Sequence, residues 1–293
     1  ALKYLEQSLG IRREIGDKSG EGTTLNNISQ IYDARGDYDT ALKYLEQSLG
    51  IRREIGDKSG EGSTLNNMST ISYARGDYDT ALKYLEQSLG IRREIGDKSG
   101  EGTTLNNMST ISYARGDYDT ALKYLEQSLG IRREIGDKSG EGTTLNNMST
   151  ISYARGDYDT ALKYLEQSLG IIREIGDKSG MIATLHNMGH IAMNKDVGKA
   201  IELWSEALSL AMETQNAQGI FHVAKTLGNV FMLAGQKEQG RQLLSLAIQV
   251  GRQAGFPDVH EVEALLQQLD APAPPANRPG LLKSLWNKFT GKV

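Results

Sequence analysis

The chain has 293 residues, 38% apolar and 24% charged, with 33 basic against 37 acidic side chains and no cysteine. That is an ordinary soluble composition, and the missing thiols exclude disulfide frameworks, cysteine nucleophiles and thiolate-ligated zinc, in keeping with a reducing compartment. No run approaches the roughly 20 apolar residues of a membrane-spanning helix and the N-terminus lacks a basic-then-apolar export signal, so the expected location is the cytoplasm.

The predicted elements follow a period of 40 residues, and a period of that order means stacked units rather than a conventional core. Residues 1–19 read as the second helix of a partial unit, a mid-unit start expected of a longer parent array. Residues 20–179 read as four near-identical units: 81–120 and 121–160 are identical, and 41–80 differs only at Ser63. In each, Leu65, Met68, Ile71 and Ser72 recur at helical spacing in a first helix, and Tyr78, Ala81, Leu82, Leu85 and Leu89 in a second. Gly76-Asp77 supplies the turn between them, with the Asp77 carboxylate placed to cap the second helix, and Gly96-Asp97-Lys98-Ser99-Gly100 starts the next pair. Gly50, Gly90, Gly130 and Gly170 fall inside second helices. Each costs about 1 kcal/mol against alanine, and close helix approach is the expected compensation. Residues 180–256 read as two divergent units, and 257–270 as a helix capping the last hairpin. Near-identity of this kind points to recent duplication or to an engineered array.

In "LNNMSTISYARGDYDTALKYLEQSL" the marks Leu65, Met68, Ser69, Gly76, Tyr78, Ala81, Leu85, Ser88 and Leu89 resemble the tetratricopeptide repeat. Leu65 and Ser69 stand where that family often has Trp and Gly, and Gly189 and Gly228 restore the glycine later. A 40-residue unit is similar to the long-helix repeats of the Pins/LGN adaptors and of kinesin light chains. The resemblance covers about residues 1–255 and implies an all-α right-handed superhelical solenoid of antiparallel hairpins, whose first helices line a concave groove.

Carried onto this chain, the resemblance assigns three rows to the groove. Asn26, Asn66, Asn106 and Asn146 form one, ending at His186; Thr70, Thr110 and Thr150 form the second, between Gln30 and His190; Tyr73, Tyr113 and Tyr153 form the third, between Asp33 and Met193. Asparagine offers a donor and an acceptor to a peptide backbone, and tyrosine adds flat contact area with a polar tip. The competing reading is that both residues solvate a helix surface and were copied with the unit. His186 and His190 share a helix face and His222 takes the groove side of the next unit. Only two ligands are local, so polar groove contact is expected and no metal or cofactor. Lys225 and Asn229 match half of the carboxylate clamp of chaperone adaptors, and the partner units that would complete it are missing. There is no phosphate loop, dinucleotide fingerprint or serine elbow, and charges such as Arg52, Arg53, Glu54 and Lys58 recur with the unit as solvated helix faces do. No enzymatic activity is expected.

The end of the chain is composed differently. Residues 271–293 hold Arg278, Lys283, Lys288 and Lys292 and no acid, so the acidic excess lies in the first 270 residues and argues against a nucleic-acid groove along them. "APAPPANRPG" (271–280) reads as a stiff spacer. Beyond it Leu281, Leu282, Leu285, Trp286 and Phe289 gather on one helical face, with Lys288 and Lys292 flanking and Lys283 farther round. Such a basic amphipathic helix could dock on an anionic membrane surface, in a partner's groove or on the solenoid itself, and docking on a neighbouring copy would create homo-oligomers. The expected function is a non-catalytic scaffold that binds an extended peptide or protein segment in the groove. The alternative is a peripheral membrane or assembly-targeting adaptor whose tail is the active element.

Overall fold

The computed structural model describes residues 1–270. The linker 271–280 and the tail residues Leu281, Leu282, Lys283, Leu285, Trp286, Lys288, Phe289 and Lys292 lie outside the described residues. The described residues form two compact units, Ala1–Ile171 and 172–270. The described residues are all-α, with fourteen helices and no strand.

The first unit contains α1 (Leu2–Glu14), α2 (Lys18–Asp33), α3 (Tyr38–Glu54), α4 (Lys58–Ala74), α5 (Tyr78–Glu94), α6 (Lys98–Ala114), α7 (Tyr118–Glu134), α8 (Lys138–Ala154) and most of α9 (Tyr158–Glu174). Every connection has one design. Gly76 (φ 77°) and Gly96 (φ 70°) take the left-handed conformation that closes a helix. The aspartate that follows opens the next one: Asp77 accepts from the Thr80 amide at 3.1 Å, and Asp97 from the Gly100 amide at 2.9 Å. Between hairpins the core repeats as well, with Ala81, Leu85 and Leu89 of α5 packed on Leu105, Met108 and Ile111 of α6. Leu85 and Leu105 are fully buried, and each such side chain contributes about 2 kcal/mol. Within a hairpin the two helices are tied by serine, as where Ser128 Oγ donates to the Gly102 carbonyl at 2.9 Å.

The interior glycines of the second helices behave otherwise than expected. Gly50, Gly90, Gly130 and Gly170 are exposed, and a Cβ at any of them would meet nothing within 4 Å. Close helix approach is therefore not their compensation.

The second unit continues with α10 (Lys178–Ala192), α11 (Val197–Glu213), α12 (Ala217–Leu233), α13 (Lys237–Ala254) and α14 (Val259–Asp270). Trp204 takes the place that Leu85 has in the first unit and is fully buried. Gly189 makes its room, since a Cβ there would lie 2.3 Å from the indole Nε1. That Nε1 donates to the His186 carbonyl at 3.0 Å. Val259 and Val262 of α14 are buried in one cluster with Phe221, Leu244 and Ala247, so this helix covers the last hairpin.

Candidate functional site

In the first unit a cavity of about 400 Å³ opens between α6 and α8. Thr103, Asn106, Asn107 and Thr110 come from α6, and Ser139, Gly140, Thr143 and Asn147 from α8, with Arg132 and Asp137 closing it. The spacing i, i+3, i+4, i+7 puts the four α6 residues on one helix face. Of the rows assigned by resemblance, the cavity brings Asn106 and Thr110 together. Thr103, Thr143, Asn107 and Asn147 were not foreseen, although their places one turn before and one residue after the asparagine row were a usable signal.

The asparagines are more deeply set than a free ladder would be. Asn106 is only 9% exposed, and its Nδ2 donates to Thr144 Oγ1 on the next first helix at 3.3 Å. Asn146 Nδ2 donates to Ser168 Oγ at 3.0 Å. Asn26 and Asn66 are half-buried. Thr70, Thr110 and Thr150 stand exposed. The tyrosines lean over their own turns, with ring centroids 5.6 Å apart for Tyr73 and Tyr78, 5.6 Å for Tyr113 and Tyr118, and 5.2 Å for Tyr153 and Tyr158. Burial pushes the Tyr113 phenol up, helped by Tyr118 and Tyr73.

A larger departure concerns the charges. Arg52 is nearly buried, and Arg92 and Arg132 are buried, rather than solvated. The Arg132 guanidinium pairs with Asp137, the cap of α8, and donates from Nη2 to Thr103 Oγ1 at 2.7 Å. Arg92 does the same with Asp97 and Ser63, and Arg52 with Asp57 and Thr23. Two glycines leave the space: a Cβ on Gly102 would lie 2.9 Å from Arg132 Nε, and one on Gly140 would lie 2.6 Å from its Cδ. The next arginine also has a buried partner, Arg53 with Glu61 and Arg133 with Glu141, each at 2.7 Å. Glu54 and Lys58 are exposed. The "KSGEG" segment is thus a socket for arginine.

In the second unit His186 and His190 meet edge-on, their ring centroids 4.6 Å apart, and His190 packs on Trp204. His186 Nε2 lies 3.1 Å from Thr226 Oγ1, while His222 is exposed. Lys225 pairs with Glu261 at 3.3 Å, and Asn229 is buried. Among the described residues no group of three His, Cys, Asp or Glu could hold a metal ion, and no helix is long and apolar enough to cross a membrane.

Burial, with the neighbouring His190 and His222, pushes the His186 pKa down from 6.5 to about 3. An unfolded chain would protonate this ring below its ordinary pKa while the folded chain would not, so stability falls as pH drops from 6.5 towards 3. The loss reaches at most about 1.4 kcal/mol per pH unit. Urea unfolding at pH 7, 6 and 5 should show it, and His186→Asn, which restores the residue of the first unit, should flatten the slope. Equal slopes for the two proteins would refute the assignment.

A family model described as tetratricopeptide repeat matches residues 1–54, 60–134 and 140–213. No curated protein matches the chain. Among solved structures, the chain is similar to BtubC (BKLC) from P. vanneervenii, with a TM-score of 0.65 and 17% identity over 73% of this chain and 91% of that one. A P. anserina protein described as a kinesin light chain with nearly identical repeats gives a TM-score of 0.54 and 18% identity over 66% of this chain and 96% of that one. A Rap protein complexed with competence and sporulation factor gives 0.60 and 14%, over 92% and 84% respectively. At these identities the likeness concerns the fold.

Proposed function

The chain belongs to the tetratricopeptide repeat family, and from that premise we propose that it is a non-catalytic scaffold holding an extended peptide or protein segment along the first helices of its hairpins. The observation that carries this reading is the cavity between α6 and α8, walled by uncharged hydrogen-bonding side chains over an already paired Arg132 and Asp137. Asn107 and Asn147 can donate to and accept from a backbone whatever its side chains, while Thr103, Thr110 and Thr143, whose hydroxyls donate to the Ser99, Asn106 and Ser139 carbonyls, can accept. Asn106, tied to Thr144, stiffens the wall behind them, and Asn26, Asn66 and Asn146 hold the corresponding places in the other hairpins. Tyr73, Tyr113 and Tyr153 give flat contact at one edge. The Rap neighbour, solved with a bound factor, is a precedent for such use of this fold. A cytoplasmic setting and a targeting role for the residues beyond 270 belong to the same proposal.

The test is a charge placed on either face. Thr110→Arg with Thr150→Arg should reduce capture of the partner at least tenfold, whereas Glu126→Arg on the exposed face of α7 should leave it unchanged. Capture that survives the threonine changes and is lost with Glu126→Arg would overturn the reading.

A further inference from the structure

The second unit has a cavity of about 280 Å³ between α10 and α12 that shares most of its lining positions with the Arg132 socket of the first unit. Ala183, His186 and Asn187 replace Thr103, Asn106 and Asn107. Asn216, Gly219 and His222 replace Asp137, Gly140 and Thr143. Behind them the arginine itself is gone, because Ala211 precedes the Asn216 cap by the five residues that separate Arg132 from Asp137.

The packing shows that this is an exchange rather than a loss. Ile182 takes the place of Gly102, and a Cβ on Gly219 would lie 3.0 Å from Ile182 Cγ2 and 3.1 Å from Ala211 Cβ. An isoleucine thus fills the room that the guanidinium occupies between two glycines in the first unit. Asn216 keeps the cap, accepting from the Gly219 amide at 2.8 Å and donating to Ser179 Oγ at 2.9 Å. None of the lining residues carries a formal charge, and the partial desolvation of the His222 ring, helped by Lys225, pushes its pKa down.

We infer that this cavity is a side-chain pocket for an uncharged residue with an apolar body and a hydrogen-bonding tip, of which tyrosine is the type. Ile182 and Val223 supply apolar wall, while Asn187, Gln218 and His222 ring the mouth. A carboxylate or ammonium entering here would lose its hydration with no countercharge to replace it, whereas a phenol would keep one hydrogen bond and bury its ring. The inference rests on the scaffold reading for its biological use, since it supplies one specific contact to an otherwise sequence-tolerant groove.

The chain contains only four histidines, His186, His190, His222 and His260, so ring carbon-proton NMR reads the pocket directly. N-acetyl-tyrosinamide titrated into the full chain at pH 7.5 should shift the His222 and His186 ring signals saturably and leave His260 unmoved. N-acetyl-glutamic acid amide and N-acetyl-lysinamide should give at least tenfold weaker responses. Ala183→Phe, at an exposed rim position, should abolish the tyrosinamide shift with the histidine spectrum otherwise retained. Restoring the charges with Ile182→Gly, Ala211→Arg and Asn216→Asp should do likewise if that variant folds. Equal responses to all three probes, no response of His222, or a shift that survives Ala183→Phe would each overturn the inference. Failure here leaves the threonine-to-arginine test untouched, because that test reads the first unit alone.

Discussion

Arg132→Ala is expected to lower stability by about 3 kcal/mol and to broaden the urea transition, followed by far-UV circular dichroism. The guanidinium side chain is 9% exposed and bridges Asp137 and Thr103. Its removal strands a carboxylate that is itself only 28% exposed and empties the space that Gly102 and Gly140 reserve. Breaking a fully buried pair costs about 3–5 kcal/mol, and the partial exposure of Asp137 argues for the lower end. In a repeat array this loss falls on one interface, so neighbouring hairpins should uncouple and the apparent m-value should fall. The second unit prescribes the rescue. Adding Gly102→Ile and Asp137→Asn copies the Ile182, Ala211 and Asn216 arrangement, and should return the protein to within about 1 kcal/mol of the parent, since a well-packed apolar replacement of a buried pair is often neutral. A change below about 1 kcal/mol for the single variant, or a triple variant weaker than the single one, would refute the account.

The same residues mark how far the sequence could be read. Helix pairs, turns and caps were legible because each rests on local chemistry: a left-handed glycine followed by a capping aspartate, then apolar residues at helical spacing. Asp77 does cap its helix, and Leu65, Met68, Ile71, Ala81, Leu85 and Leu89 are core. The role of Arg52 and its copies Arg92 and Arg132 is not legible in the sequence, because a recurring charge looks like a solvated face until its partners are known. Those partners sit five residues ahead on a helix cap and 29 residues back on another helix. The pair of glycines in "SGEG" was the available signal, since two helix-weakening residues in a first turn imply something bulky against them. Asn106 lines the cavity between α6 and α8, and how much of its amide stays open there depends on Thr144, which helical periodicity alone does not bring near. The threonine and tyrosine rows rest on the family resemblance, and their role in binding stays with the proposal.

Glycine separates the two kinds of information most sharply, and opposite results are expected from one substitution at two places. Gly90→Ala should stabilise the protein by about 1 kcal/mol, because Gly90 is exposed within α5 and a Cβ there meets nothing, leaving only the entropy gain of a better helix former. Gly50, Gly130 and Gly170 are equivalent, and with their sites well separated the four changes should add. Gly240→Ala should destabilise by about 2–3 kcal/mol, in the range of overpacked cores. A Cβ at Gly240 would lie 2.5 Å from Met232 Cγ, which can turn away, and 2.8 Å from the Gly228 carbonyl oxygen, which cannot. Gly228 faces back, its own Cβ position 3.1 Å from the Gly240 oxygen and 2.8 Å from Leu244 Cγ, so α12 and α13 cross backbone to backbone and any side chain must force them apart. Thermal unfolding of the two single variants decides the matter. A rise in Tm for Gly240→Ala, or a fall for Gly90→Ala, would mean that helix approach in the second unit, or the open surface in the first, is not what fixes glycine at these positions.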